Sequence, residues 1–174
     1  MSLIAISYPE LEPDDMDWIQ RFRYEQDSNY SLLGPHFTLV FPTDTVERDK
    51  FIDHVRPIVQ QRPVISFVNR CATVVPYRDK GGWHIFLVPD EGFSEIVKLH
   101  DRLYTRCLVG SLRMDLNFIP HMTVGFNDSA EKCKALADEL NAMDFQIAGR
   151  LTSVDIADYD GCRVESIERV TLNR

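Results

Sequence analysis

The chain has 174 residues, of which 44% are hydrophobic and 26% charged, so we expect a folded protein with a substantial buried core. This length suggests a single domain that spans residues 1–174. The formal net charge of −8 at pH 7 argues against binding to DNA or to any long run of nucleic-acid phosphates. A short ligand or an RNA end, held by a few local cations, remains open.

Neither a membrane segment nor a metal-binding cysteine motif is evident. The apolar runs are too short to cross a membrane, and the first residues lack the basic and long apolar segments of a secretory signal. The four cysteines form no C-x-x-C pair, so a zinc ribbon and a thioredoxin-like motif are both unsupported. We interpret them as reduced and mostly buried, which predicts a cytoplasmic location.

Periodicity and turn residues predict strands and helices in mixed order in the first half of the chain. Pro57 should kink or shorten the second helix, and residues 78–82 form a plausible hairpin loop. The predicted elements are a strand over 3–8, a helix over 14–27, a loop over 29–35, a strand that stops at Pro42, a helix over 47–61, and strands over 64–75 and 83–88.

The second half is predicted to contain two more helices and three more strands. Ser94 is the expected N-cap of a helix that runs to about Val109. A strand over 118–126 follows, and Asp128-x-x-Glu131 has the form of a capping box for the next helix. The last strands are expected over 145–158 and 163–172. Mixed rather than strictly alternating elements favour an α+β fold over a doubly wound sheet.

A seven-residue pattern occurs almost twice, as Pro35–Phe41 and again as Pro120–Phe126. Both copies fit P-H-x-T-(aliphatic)-x-F, and two of the five histidines in the chain occupy the same slot, 85 positions apart, at His36 and His121. A duplicated histidine with a hydroxyl two residues later is what an acid–base pair acting on a phosphoester requires.

At strand periodicity, each copy should place its histidine and threonine on one face and its apolar residues on the other. The polar face carries His36 and Thr38 in the first copy, and His121 and Thr123 in the second. The apolar face is expected to pack on a core and comprises Phe37, Leu39, Phe41, Met122, Val124 and Phe126.

Two such histidines suit a phosphodiester exchange, because an imidazole with a pKa of about 6.5 exchanges protons near neutrality. The neutral ring takes a proton from the attacking hydroxyl or water, and the protonated ring donates one to the departing ribose oxygen. The hydroxyls of Thr38 and Thr123 can donate hydrogen bonds to the phosphate oxygens. This scheme needs no metal or other cofactor, and it leaves open which histidine is the base.

The paired H-x-T-(hydrophobic) motifs resemble the two-histidine phosphoesterase superfamily, and within it the 2′-5′ RNA ligase-like, or cyclic phosphodiesterase, branch. The similarity extends to the segment Tyr8–Leu11, to Gly34–Pro42 and to the closing strand near 170–172. It implies a bilobal α+β fold, with two pseudo-symmetric β-sheet lobes, helices on the outside and a central cleft that holds both H-x-T strands. It also implies metal-independent action on 2′,3′-cyclic phosphates or 2′-5′ linkages of RNA or nucleotides.

Further side chains could contact such a substrate. An aromatic ring near the cleft could stack on a base, and the candidates are Tyr8, Tyr77 and Trp83. A cation could meet a phosphate, and the sequence does not rank Arg21, Arg23, Arg78 and Lys80.

The two remaining histidines of note have plainer interpretations. His100 falls on the apolar stripe of its predicted helix, which indicates a hydrogen-bonded core histidine. His84 lies beside Trp83 and is expected on a strand surface, although a place in the cleft is an alternative.

The leading functional hypothesis is a cyclic phosphodiesterase that hydrolyses 2′,3′-cyclic phosphates of nucleotides or RNA ends. The same site could instead act as a 2′-5′ RNA ligase or a 2′-5′ phosphodiesterase, if another nucleophile or linkage were bound. A third hypothesis is a module that binds nucleotides or RNA ends without turnover. A metal site that uses His36, His121 and a third ligand is the weakest alternative. The sequence says nothing about oligomeric state.

Overall fold

In the computed structural model, which describes residues 1–77 and 81–173, nine strands form two antiparallel sheets. The strands are β1 (Ser2–Ser7), β2 (Glu10–Leu11), β3 (Phe37–Thr43), β4 (Ile65–Pro76), β5 (Trp83–Glu91), β6 (Met122–Asn127), β7 (Ile147–Leu151), β8 (Ser153–Tyr159) and β9 (Val164–Thr171). The helices are α1 (Pro13–Gln26), α2 (Arg48–Gln60), α3 (Phe93–Leu103), α4 (Ala130–Ala142) and a 3₁₀ helix (Arg106–Ser111).

The two sheets form two lobes, and each has an H-x-T strand at its edge. The first sheet has the order β3-β1-β8-β9, and the second has the order β2-β7-β4-β5-β6. Helix α2 packs on the first sheet, α1 and α4 pack on the second, and α3 lies against β3 while also contacting β4 and β5. Within the described part of the chain, no helix is long and apolar enough to span a membrane. The predicted α+β, two-lobed architecture is confirmed.

The strand predicted over 145–158 is wrong, because the chain changes sheets inside it. β7 belongs to the second sheet and β8 to the first. Thr152 lies between them, where its carbonyl accepts the Leu172 N–H at 2.8 Å and its hydroxyl donates to Glu10. A segment with the pattern of one strand therefore serves two sheets, which periodicity alone does not reveal.

The prediction of Ser94 as the N-cap of α3 is also wrong. The helix begins after Gly92, whose φ of 78° is a left-handed conformation that glycine adopts readily. The helix ends at Leu103 instead of continuing to Val109, because the next residue, Tyr104, has a non-helical ψ of 46°. There its hydroxyl accepts the Phe41 N–H at 2.8 Å. The helix thus ends at the point where Tyr104 contacts strand β3.

Two other helices differ from prediction in detail. Helix α2 runs through Pro57 to its end at Gln60, so the proline does not shorten it. Helix α4 is capped by Ser129, whose hydroxyl accepts the Lys132 N–H at 3.2 Å, and not by Asp128.

The first motif strand contains a β-bulge. On β1, Ala5 pairs with Val40, but the next residue, Ile6, pairs with Thr38. Leu39 is therefore the extra residue of β3, and both it and Val40 are buried in the main core. A bulge shifts the face on which later side chains lie.

The second motif strand contains a bulge at the same point of the repeat. On β5, Ile85 pairs with Gly125, and the next residue, Phe86, pairs with Thr123. Val124 is the extra residue and is buried in the main core. The sequence repeat is thus accompanied by a repeat of backbone irregularity.

The bulges overturn the predicted positions of the two terminal phenylalanines. Phe41 lies on the same side as Thr38, where both line the cleft described below. Phe126 pairs with His84, and its ring lies 5.4 Å from that of His84 and 6.2 Å from that of Tyr77. Strict alternation places both phenylalanines on the core face, which is wrong because each bulge inserts one residue.

Helix α3 holds the bulge of β3 in place. His100 Nδ1 donates to the Leu39 carbonyl at 2.9 Å, and the Phe41 N–H donates to Tyr104 as described above. Because β3 is an edge strand, these side chains satisfy backbone groups that the sheet leaves unpaired. His100 is buried, and its ring stacks on Phe118 at 3.5 Å, which confirms it as a core histidine.

The cysteines are less buried than expected. Cys133 lies in the core and Cys107 is half-buried, whereas Cys71 and Cys162 are exposed. All four are free thiols, as the sequence indicated.

Gly125 permits close packing between α1 and the second motif strand. A Cβ atom added at Gly125 would lie 3.4 Å from both the Cβ and the carbonyl oxygen of Gln26, and 3.1 Å from Ile85 Cδ1. A side chain as large as Val40, its counterpart in the first copy, would separate α1 from β6.

We expect Gly125→Val to lower the free energy of unfolding by about 1–3 kcal/mol, because the added methyl groups overpack the contact with α1. Gly110→Val is the matched control, since a Cβ atom there meets no atom of the described residues within 4 Å. That control should change the free energy by less than about 0.5 kcal/mol. Urea unfolding followed by circular dichroism measures both variants, and equal effects would contradict close packing of α1 on β6.

Candidate active site

The two motif strands line a cleft made of two adjoining cavities. The smaller cavity, of about 210 Å³, is lined by His36, Thr38 and Thr123. The larger cavity, of about 500 Å³, is lined by His121 and Thr123. The side chains shared by both cavities are Phe41, Pro42, Tyr77, Thr123 and Tyr159. The four residues named from the repeat are therefore brought together.

Both imidazoles are oriented by the same kind of hydrogen bond. His36 Nδ1 lies 2.8 Å from the Gly34 carbonyl oxygen, and His121 Nδ1 lies 2.5 Å from that of Ile119. A carbonyl oxygen can only accept, so each Nδ1 carries the hydrogen. When the ring is neutral, Nε2 is then the free acceptor, available to take a proton.

Each histidine stands just before its strand and not inside it. β3 begins at Phe37 and β6 begins at Met122, so the strand predicted from residue 118 begins later than expected. In both copies the carbonyl that fixes the imidazole belongs to the residue two positions earlier. In both copies the ring is thus oriented by the backbone immediately before the histidine.

An aromatic group surrounds His121. Its ring stacks on Phe86 at 3.5 Å with an interplanar angle of 12°. The His84 ring stacks on Phe86 at 5.7 Å and lies 4.5 Å from Tyr77. His84 lines the larger cavity, contrary to the expected surface position, and burial lowers the pKa of its imidazole.

Different groups surround His36. Tyr8 meets its ring edge-on at 6.2 Å. Arg23 and Asp27 line the same cavity as His36 and form a buried ion pair at 2.8 Å. The i, i+4 spacing of these two charges on a predicted helix was the available signal for this pair, which sequence reasoning missed.

Burial lowers the pKa of both imidazoles. For His121 the pKa falls to about 4, because burial and the nearby His36 and His84 outweigh the hydrogen bond to the Ile119 carbonyl. For His36, burial also lowers the pKa, against the opposing effect of the Gly34 carbonyl. Both rings are therefore mainly neutral at pH 7 in the free protein.

The aromatic candidates occupy three different environments. Tyr77 lines both cavities. Tyr8 lies beside His36, while the ring of Trp83 packs against the main core. Phe86 was missed, although its spacing from His84 places both on one face of a strand.

The candidate cations are also dispersed. Arg23 lines the smaller cavity, whereas Arg21 is exposed and donates to a carbonyl of its own helix. Arg78 and Lys80 lie outside the described residues. Arg113, which sequence reasoning did not name, lines the larger cavity.

The cleft offers hydrogen-bonding and proton-transfer groups. The larger cavity falls within the range of about 300–1,000 Å³ typical of small-molecule sites, and the smaller one falls below it.

Among residues 1–77 and 81–173, no group of three or more His, Cys, Asp or Glu side chains is placed to hold a metal ion.

Comparison with known proteins identifies related sequences. The family model of the 2′-5′ RNA ligase superfamily matches residues 9–163. A candidate phosphoesterase from Geobacillus kaustophilus (strain HTA426) is 27% identical over 112 residues, which span 63% of this chain and 61% of that protein. Another from Bacillus licheniformis is 25% identical over 122 residues, or 68% of this chain and 67% of that protein.

Solved structures share the fold at low sequence identity. LigT from Escherichia coli in complex with 3′-AMP has a TM-score of 0.62 at 14% identity. TT0787 from Thermus thermophilus has a TM-score of 0.67 at 12% identity. Each comparison covers 99% of this chain and 98% of the other. At these identities the similarity shows a common bilobal α+β fold.

Burial of neutral His121 should make the protein sensitive to acid. Its folded-state pKa of about 4 lies below the unfolded value of about 6.5, so the unfolded state binds more protons between these values. Stability is then lost as the pH falls through this range, by about 2 kcal/mol between pH 7 and pH 5.

Urea unfolding at both pH values should show a smaller loss for His121→Asn, which cannot titrate, than for the wild type. His54→Asn, at a half-exposed histidine outside the cleft, controls for loss of an imidazole elsewhere. An unchanged pH dependence in His121→Asn would rule out the assigned burial effect.

Proposed function

Because this chain belongs to the 2′-5′ RNA ligase superfamily, we propose that it is a phosphoesterase that hydrolyses 2′,3′-cyclic phosphates of nucleotides or RNA ends. The observation that carries the proposal is that two imidazoles, each with a free Nε2 atom, line one cleft together with two threonine hydroxyls. The reaction uses only groups of this chain and needs no metal ion.

The proposed reaction transfers one proton to the protein and one from it. Nε2 of the neutral imidazole takes a proton from water as the water oxygen bonds to phosphorus. The bond from phosphorus to one ribose oxygen breaks, and the other imidazole, protonated at Nε2, gives its proton to that oxygen. The product is a ribose phosphomonoester with a free neighbouring hydroxyl. The histidines exchange protonation states, and solvent restores them.

Thr38 and Thr123 are proposed to bind the phosphate. Each hydroxyl can donate a hydrogen bond to a non-bridging oxygen, where negative charge grows as water adds. Thr123 lines both cavities, which supports a phosphorus position between them.

The unequal sizes of the two cavities support one orientation of a bound nucleotide, with its base in the larger cavity. The larger cavity is lined by Tyr77, Phe86 and His84, whose rings offer stacking surfaces for a nucleobase. The smaller cavity suits water or a small hydroxyl group. Nucleotides are plausible ligands because the structural relative LigT has been solved with 3′-AMP, ATP and NADP+.

Substrate binding would also change the pKa values of the two histidines. The negative charge of a bound phosphodiester favours the imidazolium form, so it raises both pKa values toward neutrality. One ring can then hold a proton in the complex at a pH where both are neutral in the free protein. The acid would thus be charged mainly when its substrate is present.

We expect His36→Ala and His121→Ala each to lower kcat on 2′,3′-cyclic nucleotides in EDTA by about 10²–10⁴-fold. His54→Ala should retain activity, because this histidine does not line the cleft. Chromatography of the products measures the rates, and turnover that survives either cleft substitution would contradict the assigned roles.

Supplying a 5′-hydroxyl oligonucleotide together with an RNA that ends in a cyclic phosphate tests the alternative, since ligation would yield a longer product.

The pH dependence should differ between the free protein and the complex. Because both free histidines have a lowered pKa, kcat/KM should be bell-shaped with an optimum below about pH 6.5. The optimum of kcat should lie at higher pH, since bound phosphate raises the same pKa values. Steady-state rates across a pH series test this, and an optimum of kcat/KM above pH 7 would oppose it.

A further inference from the structure

Helix α1 contacts the second motif strand and the loop that precedes the first. Near its end, Gln26 packs on Gly125 of the second motif strand. Earlier on the helix, Arg23 reaches the loop that precedes His36, where its Nη2 donates to the Leu33 carbonyl at 2.7 Å. One helix therefore connects the loop before His36 with the second motif strand.

Arg23 is buried and fully engaged with protein groups. Its side chain is 2% exposed, and that of Asp27 is 1% exposed. Nε donates to the Asp27 carboxylate at 2.9 Å and Nη1 donates to Gln20 at 3.3 Å. With Leu33 bound to Nη2, all three guanidinium nitrogens have partners, so the geometry favours a structural task over phosphate binding.

The loop held by Arg23 contains the carbonyl that accepts the His36 hydrogen. Asp27 Oδ1 accepts the Asn29 N–H at 2.9 Å, so the same ion pair fixes the start of the loop. At its other end, Arg23 holds the carbonyl of Leu33, and the carbonyl of the next residue, Gly34, accepts the His36 Nδ1 hydrogen. Residues 28–35 belong to neither a strand nor a helix, and backbone hydrogen bonds such as that from the Leu32 N–H to the Asn29 carbonyl at 2.9 Å support the first part of the loop. The side chains of Asp27 and Arg23 add bonds at the two ends of this loop.

We propose that Arg23 is a positioning residue for His36. By holding the Leu33 carbonyl, it keeps the Gly34 carbonyl where it selects the tautomer that leaves Nε2 free toward the cleft. Because Arg23 lies on α1, it also fixes the position of the Gly34 carbonyl relative to the second motif strand. The kinetic consequence rests on the proposed function, whereas the tautomer consequence does not.

The test compares variants that remove the hydrogen bond from Arg23 to the Leu33 carbonyl with one that removes a neighbouring charge. Arg23→Met combined with Asp27→Asn removes both buried charges and keeps an oxygen for the Asn29 N–H. Arg23→Lys keeps a positive charge beside Asp27 but lacks the planar fork that reaches the carboxylate and the carbonyl together. Arg21→Met, on the exposed side of the same helix, is the control.

Two measurements are made on each folded variant. In ¹⁵N-histidine-labelled protein above pH 7, the ring-nitrogen shifts of His36 report its tautomer. We expect a single Nδ1-protonated form in the wild type and in Arg21→Met, and a mixture in both Arg23 variants. We also expect kcat to fall by at least about tenfold in the Arg23 variants, with KM changed by less than about twofold.

Distinct outcomes separate the possible failures. An unchanged tautomer in folded Arg23 variants overturns the proposal, as does a raised KM with normal kcat, which would indicate direct contact with substrate. If the wild type turns over no cyclic phosphate, the proposed function fails, but the ring-nitrogen shifts still decide the role of Arg23. If the double variant does not fold, Arg23→Lys supplies the same comparison.

Discussion

The β-bulge shared by the two motif strands is the constraint on which the site depends. Each strand lies at a sheet edge and has to face the core on one side and the cleft on the other. By inserting one residue, the bulge directs two consecutive residues to the core face, Leu39 and Val40 in one strand and Val124 and Gly125 in the other. It then returns Phe41 and Phe126 to the side of the threonines. In β3 the irregular backbone is stabilised by His100 and Tyr104, because an edge strand has no second neighbour to pair with.

Within this common backbone the two histidines have different surroundings. His121 stacks on Phe86, and burial dominates its pKa, with smaller contributions from the other imidazoles of the cleft. His36 shares its cavity with the buried pair of Arg23 and Asp27, whose opposite charges act on its pKa in opposite directions. Equivalent hydrogen bonds thus hold two rings whose electrostatic environments are unequal, which suits the separate acid and base roles proposed for them.

The sequence was informative where short-range pattern decides structure, and it was insufficient where tertiary contacts decide it. The duplicated histidines, the α+β class and the core role of His100 could be read from spacing. The bulges could not, because no residue type marks them, and Phe41 was therefore assigned to the wrong face. The early end of α3 coincides with a contact between Tyr104 and the Phe41 N–H, which lies 63 positions earlier in the chain. The ion pair of Arg23 and Asp27 can be interpreted only together with the loop to which Arg23 donates.

The location of the motif strands at the edges of different sheets bears on how such a fold could arise. One lobe alone presents a single motif histidine, so an ancestral half would have needed a second copy of itself, in a symmetric dimer, to bring two such imidazoles into one cleft. Once both halves lie in one chain, symmetry is no longer imposed on them. Gly125 and Val40 occupy the same position of the repeat but differ in size. One half can therefore change its packing at this position while the other half keeps its own.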